Sequence, residues 1–207
     1  MTGMPGVVLV DLFGVIARPQ APEAVHALTE IAQVAAPAFV DAYWKQRAPY
    51  DRGQVTAVEY WHRVAAELGT VFDDRRVAEL VAADIAGWSE VDDEMVDLIG
   101  WMKAAGVRLA LLSNIPEDLA AYYEREHHRW LRHFELVAFS CRLGVAKPDP
   151  EAFRWCCREL GVAVDDLLFI DDRHDNVQAA GRLGIRTHLF TNPAAAAGAL
   201  GFVTRTG

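Results

Sequence analysis

Short apolar runs alternate with longer segments of mixed polarity along most of the chain. The first run is Val7–Val10, and four more follow it, at 107–112, 136–140, 167–170 and 185–190. Apolar runs of this length are typical of strands that are buried on both faces of a sheet. From residue 91 onwards, these runs alternate with segments at 91–105, 116–131, 151–161 and 176–183, in which apolar residues recur with helical spacing. Strands that alternate with helices predict a parallel sheet with right-handed crossovers.

A long segment after the first run contains no strand pattern. Its apolar residues recur at three- and four-residue spacing, which predicts helices at 21–36, 37–47, 54–68 and 74–87. The breaks between them are expected at Pro37, at 49–53 and at Gly69. We therefore expect an α/β protein with a Rossmann-like parallel sheet and an inserted all-helical cap. In this prediction residues 1–17 and 89–207 form the core domain, and residues 18–88 form the cap domain.

Polar residues follow the predicted strands at the points where the strands end. The set consists of Asp11, Ser113, Asn114, Lys147, Asp171 and Asp172. The carboxyl ends of parallel strands lie at one edge of the sheet, which is where ligands bind in open α/β folds. Clustered carboxylates cannot all stay ionised without a counter-charge. Lys147 supplies one positive charge, and a divalent cation that prefers oxygen ligands, such as Mg²⁺, would supply the rest.

Composition and charge exclude several classes of function. The chain has 207 residues, is 52% hydrophobic and carries a net charge of −9, so we expect a sizeable core and no nucleic-acid partner. No segment reaches the roughly 18 apolar residues of a membrane span, and no secretion signal is recognisable. The cysteines Cys141, Cys156 and Cys157 are odd in number, which indicates reduced thiols. We expect a cytoplasmic protein, monomeric or homodimeric, that acts on a small molecule and binds no membrane.

Four short motifs, in order along the chain, resemble those of the haloacid dehalogenase (HAD) superfamily. They are Asp11-x-Phe13-Gly14-Val15, Leu112-Ser113-Asn114, Lys147-Pro148-Asp149-Pro150 and Ile170-Asp171-Asp172-x₃-Asn176. A resemblance to the small helical cap of its sugar-phosphatase and epoxide-hydrolase-N-domain-like members is carried by Tyr50-Asp51-Arg52-Gly53 and Glu59-Tyr60-Trp61. Each motif alone is weak, but the ordered set is specific and covers nearly the whole chain. The resemblance implies a HAD-like hydrolase that uses Mg²⁺.

The resemblance implies a catalytic role for four of the strand-end residues. Asp11 would be the nucleophile and would form an aspartyl-phosphate. Ser113 and Asn114 would donate hydrogen bonds to the transferring phosphoryl group, and Lys147 would neutralise both that group and the nucleophile. The expected activity is that of a phosphatase of a small phosphorylated metabolite.

The resemblance also implies a metal site and a substrate site. The Mg²⁺ ion would be held by Asp11, Asp171, Asp172 and the backbone carbonyl of Phe13, with Asn176 in support. The cap would close over the site and exclude water. Substrate binding is predicted for three cap residues, which are Tyr43, Trp44 and Arg47.

Phe13 departs from the phosphatase pattern of this superfamily. Phosphatases that resemble this chain carry a second Asp two residues after the nucleophile, where it protonates the leaving group and activates water. A phenylalanine does neither, and such acid–base help is typically worth about 10²–10⁴-fold in rate. The 2-haloacid dehalogenases have an aromatic residue at this place, but their fourth motif binds no metal, whereas this chain keeps Asp171 and Asp172.

Three alternatives therefore stay open from the sequence. The first, which we favour, is a Mg²⁺-dependent phosphatase with low turnover or with an acid supplied by another residue; Asp51, Glu59, His62 and His174 are the candidates for that acid. The second is a carbon–halogen hydrolase similar to the 2-haloacid dehalogenases. The third is a binding protein that keeps the site without catalysis.

Overall fold

The computed structural model describes residues 6–201, and its centre is a five-stranded parallel sheet. The strands are β1 (Val7–Val10), β2 (Leu109–Ser113), β3 (Leu136–Phe139), β4 (Leu167–Asp171) and β5 (Arg186–Leu189). Their spatial order is β3-β2-β1-β4-β5, and every neighbouring pair is parallel. This arrangement confirms the predicted fold class.

The three central strands are buried because helices cover both faces of the sheet. All residues of β1, β2 and β4 are buried, and their alternating side chains belong to two separate apolar clusters. Val8 and Val10 pack on one side of the sheet, and Val7 and Leu9 pack on the other. A strand that is apolar at every position is the expected solution for such a double contact.

Four helices lie between β1 and the rest of the sheet. They are α1 (Pro22–Ala32), α2 (Ala36–Asp51), α3 (Ala57–Glu67) and α4 (Asp74–Gly87). Their inward faces form an apolar cluster of their own, which includes Phe39, Tyr60, Trp61 and Leu80. The amphipathic pattern of these helices is thus satisfied mainly among themselves.

The remaining helices cover the sheet. They are α5 (Asp93–Ala104), α6 (Glu117–Glu126), α7 (His128–Leu131), α8 (Ser140–Leu143), α9 (Pro150–Leu160), α10 (His174–Arg182) and α11 (Pro193–Ala199). Within residues 6–201, no helix is both long and apolar enough to span a bilayer.

Several predicted element boundaries are wrong. The break expected at Pro37 lies at 33–35, because Pro37 occupies the first turn of α2, where its missing N–H is not needed. The break expected at 49–53 begins only at Arg52, since Pro49 lies within the last turn of α2, which ends at Asp51. The helix predicted over 116–131 is interrupted at His127, which separates α6 from α7. Helices α8 and α11 were not predicted.

Helix α2 is fastened to the sheet domain at its carboxyl end. The Tyr50 hydroxyl donates a hydrogen bond of 2.8 Å to Asp118, in the first turn of α6. The Ser140 hydroxyl donates to the backbone carbonyl of Asp51 at 2.5 Å. The backbone of Gly53 approaches that of Cys141 so closely that an added Cβ would lie 2.2 Å from the Cys141 carbonyl oxygen. The division into a core at 1–17 and 89–207 and a cap at 18–88 stays a prediction.

Candidate active site

Three adjacent strands bring the predicted site residues together. Asp11 directly follows β1, Ser113 ends β2 and Asp171 ends β4. Since β1 lies between β2 and β4 and all three are parallel, their carboxyl ends meet at the middle of one sheet edge. The loop after α8 adds Lys147, whose peptide bond to Pro148 is cis.

Lys147 is the positive centre of this edge. Its Nζ lies 2.6 Å from Asp11 Oδ1 and 2.8 Å from Asp171 Oδ2, and the Lys147 side chain is 1% exposed. Burial lowers the pKa of Lys147, but the two carboxylates act in the opposite direction and leave that pKa above its ordinary value. The amine therefore stays charged and holds both carboxylates in place.

Asp171 is oriented by three further hydrogen bonds from two donor groups. The Asn176 side-chain amide donates to Oδ1 and Oδ2 of Asp171, at 3.1 and 3.0 Å, and the Arg173 backbone N–H donates to Oδ1 at 2.8 Å. These bonds and the contact with Lys147 occupy both carboxylate oxygens of Asp171. Asn176, which the sequence assigned a supporting role, is thus in contact with the predicted metal site.

Oxygens of Asp11, Asp171 and Asp172 lie within 4.8 Å of one another, as required of residues that share one metal ion. Burial raises the pKa of Asp11 well above its usual range; Lys147 opposes this shift, and Asp171 adds to it. Burial and then Asp171 also raise the pKa of Asp172. One amine therefore does not compensate three carboxylates, and a second cation would stabilise the ionised cluster.

The surroundings of the three carboxylates also fit a cation. An added Cβ at Gly14 would lie 2.3 Å from Oδ2 of Asp172, and Gly14 has a φ of +81°, so this position requires glycine. The buried Oδ1 of Asn176 has no hydrogen-bond partner among the described residues. An all-oxygen set of carboxylates with a spare acceptor nearby suits Mg²⁺.

Ser113 and Asn114 are placed differently from each other. The Ser113 hydroxyl is completely buried and has no hydrogen-bond partner among the described residues. The Asn114 side chain instead exchanges two hydrogen bonds with the backbone of Lys147, donating to its carbonyl at 2.7 Å and accepting from its N–H at 2.8 Å. Asn114 thus fixes the loop that carries the buried amine.

Phe13 adds no polar group to the site. Its half-buried ring packs edge to face against Trp88, with 4.9 Å between ring centroids, and against Tyr123 at 5.9 Å. The place two residues after Asp11 is therefore part of an aromatic wall. The assignment of its backbone carbonyl to the metal stays a prediction.

A cavity of about 380 Å³ lies between α2 and the sheet edge. From the sheet side it is lined by residues that include Asp11, Lys147 and Asp172. Two of the residues predicted to bind substrate, Trp44 and Arg47, line it from α2. Trp44 is 52% exposed and offers a large apolar surface to whatever occupies the cavity.

Tyr43, the third residue predicted to bind substrate, does not line this cavity and is buried behind Trp44 and Arg47. It is 3% exposed, and its hydroxyl donates to Asp84 at 2.7 Å and accepts from Trp88 at 3.0 Å. The guanidinium of Arg47 donates to the same hydroxyl at 2.5 Å. Burial raises the pKa of Tyr43 well above its ordinary value, so the hydroxyl stays protonated.

Arg47 joins two carboxylates within the helical segment. Its Nε lies 2.8 Å from Oδ1 of Asp51, and its Nη1 lies 3.1 Å from Oδ2 of Asp84. Sequence analysis missed Asp84 because a single Asp in an amphipathic helix is usually a solvated residue. Its apolar neighbours on α4, Val77 and Leu80, are the one local sign of burial.

The four candidate acids of the sequence analysis lie in different places. Asp51 lines the cavity. Glu59 is exposed and borders a separate space of about 300 Å³, between the α2–α3 connection and the helices α6 and α8. His62 and His174 are exposed, and neither is among the described residues that line the cavity.

Comparison with known proteins gives matches of two kinds. Residues 5–184 match the family model described as haloacid dehalogenase-like hydrolase. Phosphoglycolate phosphatase 1 of Pseudomonas aeruginosa is 33% identical over 109 residues. That alignment covers 53% of this chain but 40% of the relative, so the chain matches less than half of that enzyme's length.

Solved structures share the fold at low sequence identity. A HAD family enzyme from Bacteroides thetaiotaomicron, solved with magnesium and inorganic phosphate, aligns with a TM-score of 0.75 and 22% identity, over 91% of this chain and 95% of that one. An L-2-haloacid dehalogenase from Xanthobacter autotrophicus, with chloropropionic acid covalently bound, aligns with a TM-score of 0.67 and 17% identity, over 94% and 82% of the two chains. At these identities the likeness concerns the fold alone.

Proposed function

The chain belongs to the haloacid dehalogenase-like hydrolase family, and we propose that it is a Mg²⁺-dependent phosphatase of a small phosphorylated metabolite. The observation that carries the proposal is the group of three carboxylates, Asp11, Asp171 and Asp172, gathered around the buried amine of Lys147. A phosphatase relative and the magnesium- and phosphate-bound neighbour support the same choice. Its cytoplasmic location and its state as a monomer or homodimer stay predictions.

The proposed reaction begins with attack by Asp11 on phosphorus. The carboxylate forms an aspartyl-phosphate, and the bond to the leaving oxygen breaks. Lys147 stabilises negative charge on the phosphoryl group, and the unpartnered hydroxyl of Ser113 donates a hydrogen bond to it. Water then attacks the aspartyl-phosphate and regenerates Asp11.

The metal ion is assigned to residues at the same edge. Asp11, Asp171, Asp172 and the carbonyl of Phe13 would hold it, and Asn176 would keep Asp171 in position. When bound, Mg²⁺ neutralises phosphoryl charge and orients the group for in-line attack. Residues 18–88 are proposed to act as a cap that excludes water and presents Trp44 and Arg47 to the substrate, while the buried Tyr43 holds Arg47 in place.

A second candidate function follows from Phe13. A departing halide needs no proton, so an apolar ring beside the nucleophile suits a carbon–halogen hydrolase. Against it, the acidic pair Asp171 and Asp172 has no role in that reaction without metal. We therefore rank the dehalogenase second, and a binding protein without turnover third.

The test is a panel of phosphomonoesters and 2-haloacids assayed with Mg²⁺ and with a chelator. We expect phosphate release that requires Mg²⁺ and no halide release from 2-chloropropionate. Halide release that persists in the chelator would favour the dehalogenase. Absence of both products, together with saturable binding of a phosphate ester, would favour the binding protein.

A further inference from the structure

With Phe13 at the usual place of the acid, the question is which group protonates the leaving oxygen. The described residues that line the catalytic cavity include three carboxyl groups, those of Asp11, Asp51 and Asp172. Asp11 is the proposed nucleophile and Asp172 a proposed metal ligand. Asp51 is the one that remains, and it faces the cavity from the opposite side, at the end of α2.

We infer that Asp51 is the general acid and base of the reaction, supplied by the helical segment in place of the side chain at position 13. This inference rests on the proposed phosphatase function. A carboxyl group that transfers a proton must be held at a fixed distance from the reacting atoms. Asp51 lines the same cavity as Asp11, although it lies 40 residues along the chain, and hydrogen bonds hold both its backbone and its side chain.

Two hydrogen bonds fasten the backbone around Asp51 to the sheet domain. Ser140, the residue that follows β3, donates from its hydroxyl to the Asp51 carbonyl at 2.5 Å and accepts from the Ile115 N–H at 2.9 Å. The neighbouring Tyr50 is bonded to Asp118 at 2.8 Å. Ser140 directly follows β3, and Ile115 lies two residues after the end of β2. Asp51 is therefore bonded to the same sheet edge that carries Asp11.

The charges around Asp51 favour a carboxyl group that can hold a proton. Arg47 is shared between Asp51 and Asp84, at 2.8 and 3.1 Å, so one cation faces two acidic groups. If both are ionised, the cluster has a net negative charge inside the protein, and one proton on Asp51 neutralises it. The burial of Asp51 raises its pKa, and Arg47 opposes that shift without cancelling it.

Other charged or titratable groups also surround Asp51. On the helical side they are Arg47, Arg52, Tyr60 and Asp84, and across the cavity they are Asp11, Lys147, Asp172 and Arg173. The helical side of the cavity is lined by Arg47, Asp51 and Arg52, and the Asp51 carboxyl is the acidic group among these three residues.

The proton balance of the two steps is complete with Asp51. In the first step Asp11 bonds to phosphorus, the phosphorus–oxygen bond of the ester breaks, and protonated Asp51 gives its proton to the departing alkoxide. In the second step the Asp51 carboxylate takes a proton from water, whose oxygen bonds to phosphorus and releases phosphate from Asp11. Asp51 ends the cycle protonated and Asp11 ends it as a carboxylate.

The experiment compares two leaving groups in the first turnover, with enzyme in excess over substrate. Nitrophenolate leaves without a proton, whereas the alkoxide of benzyl phosphate needs one. We expect Asp51→Asn to slow release of benzyl alcohol by about 10²–10⁴-fold and release of nitrophenol from 4-nitrophenyl phosphate by less than about tenfold. The nitrophenyl rate also shows that the variant is folded and that Asp11 works.

Glu59→Gln is the matched control, since it also replaces a carboxyl of the helical segment with an amide. Glutamine keeps the capping box that Glu59 forms with Thr56, and Glu59 does not line the catalytic cavity. We expect this variant to release both leaving groups at the unsubstituted rate. A selective loss with benzyl phosphate in Glu59→Gln would overturn the assignment.

A pH profile provides a second, independent measurement. Because the acid must be protonated, release of benzyl alcohol is expected to fall as pH rises through the pKa of Asp51, and Asp51→Asn should lose that slope. Equal losses for both leaving groups, no loss with benzyl phosphate, or an unchanged slope would each overturn the inference while leaving the phosphatase proposal intact. The phosphatase proposal itself fails if Asp11→Asn releases nitrophenol as fast as the unsubstituted protein.

Discussion

Replacing Lys147 with methionine is expected to lower the free energy of unfolding by about 3–5 kcal/mol, because two buried carboxylates lose their common cation. The amine lies 2.6 Å from Asp11 and 2.8 Å from Asp171, and its side chain is 1% exposed. The pKa of Lys147 is raised from its ordinary value of 10.5, so its stabilising contribution is fully present at neutral pH and is lost only above that value. Denaturant titration at neutral pH in a chelator measures the change.

Lys45→Met is the control for this variant. Lys45 pairs with Glu67 at 2.5 Å, but its side chain is 62% exposed, and pairs of that kind typically contribute about 0–1 kcal/mol. The deficit of Lys147→Met should shrink in Mg²⁺, which replaces part of the missing charge. If the two lysine variants lose the same stability, the amine is not the counter-charge of the site.

Replacing Asp11 with asparagine is expected to abolish phosphate release without destabilising the protein. Loss of a covalent nucleophile costs on the order of 10⁶ in turnover in well-studied hydrolases, and the neighbouring carboxylates of Asp171 and Asp172 are assigned to the metal. The folded structure raises the pKa of Asp11, first by burial. Above the ordinary value of 3.8 the folded protein therefore retains a proton that the unfolded chain has lost, so stability falls as pH rises towards the folded pKa.

Asparagine does not ionise and so avoids this loss of stability. The stability of Asp11→Asn relative to the unsubstituted protein should therefore increase as pH rises from 3.8 towards the folded pKa of Asp11. Melting curves in a chelator, recorded from acid to neutral pH, measure it beside the loss of activity. A variant that is both inactive and less stable at neutral pH would mean that the Asp11 carboxylate is structural.

The convergence of the strand-end residues could be predicted from the sequence because it follows from a local pattern. Asp11, Ser113 and Asp171 each stand where an apolar strand ends, and parallel strands must bring such ends together. The order of the strands in the sheet decides which ends are adjacent. That β1 lies between β2 and β4 is visible only in the structure.

The contacts between the helical segment and the sheet could not be predicted in the same way. Tyr50 meets Asp118 across 68 residues, and Ser140 meets Asp51 across 89. Helical periodicity shows which face of α2 is apolar, but it does not show which residue that face meets. The shared partner of Arg47 and Tyr43, Asp84, was missed for the same reason.

The boundary errors also have a physical cause. Proline was taken to end a helix at positions 37 and 49, yet both prolines lie within α2. Pro37 is in the first turn, where no intrahelical donor is lost. Pro49 is in the last turn, and the packing of Tyr50 on Tyr60, with 4.4 Å between the stacked rings, holds that turn in place.

The central claim is that Asp11 carries the phosphoryl group during turnover. The most direct measurement is acid quenching during turnover of a labelled phosphomonoester in Mg²⁺, followed by proteolysis and mass spectrometry to locate the label. The account predicts a phosphoryl group on the peptide that contains Asp11, absent in Asp11→Asn. Label on another residue, or steady phosphate release from a protein that carries no label at any time in the turnover, would contradict it.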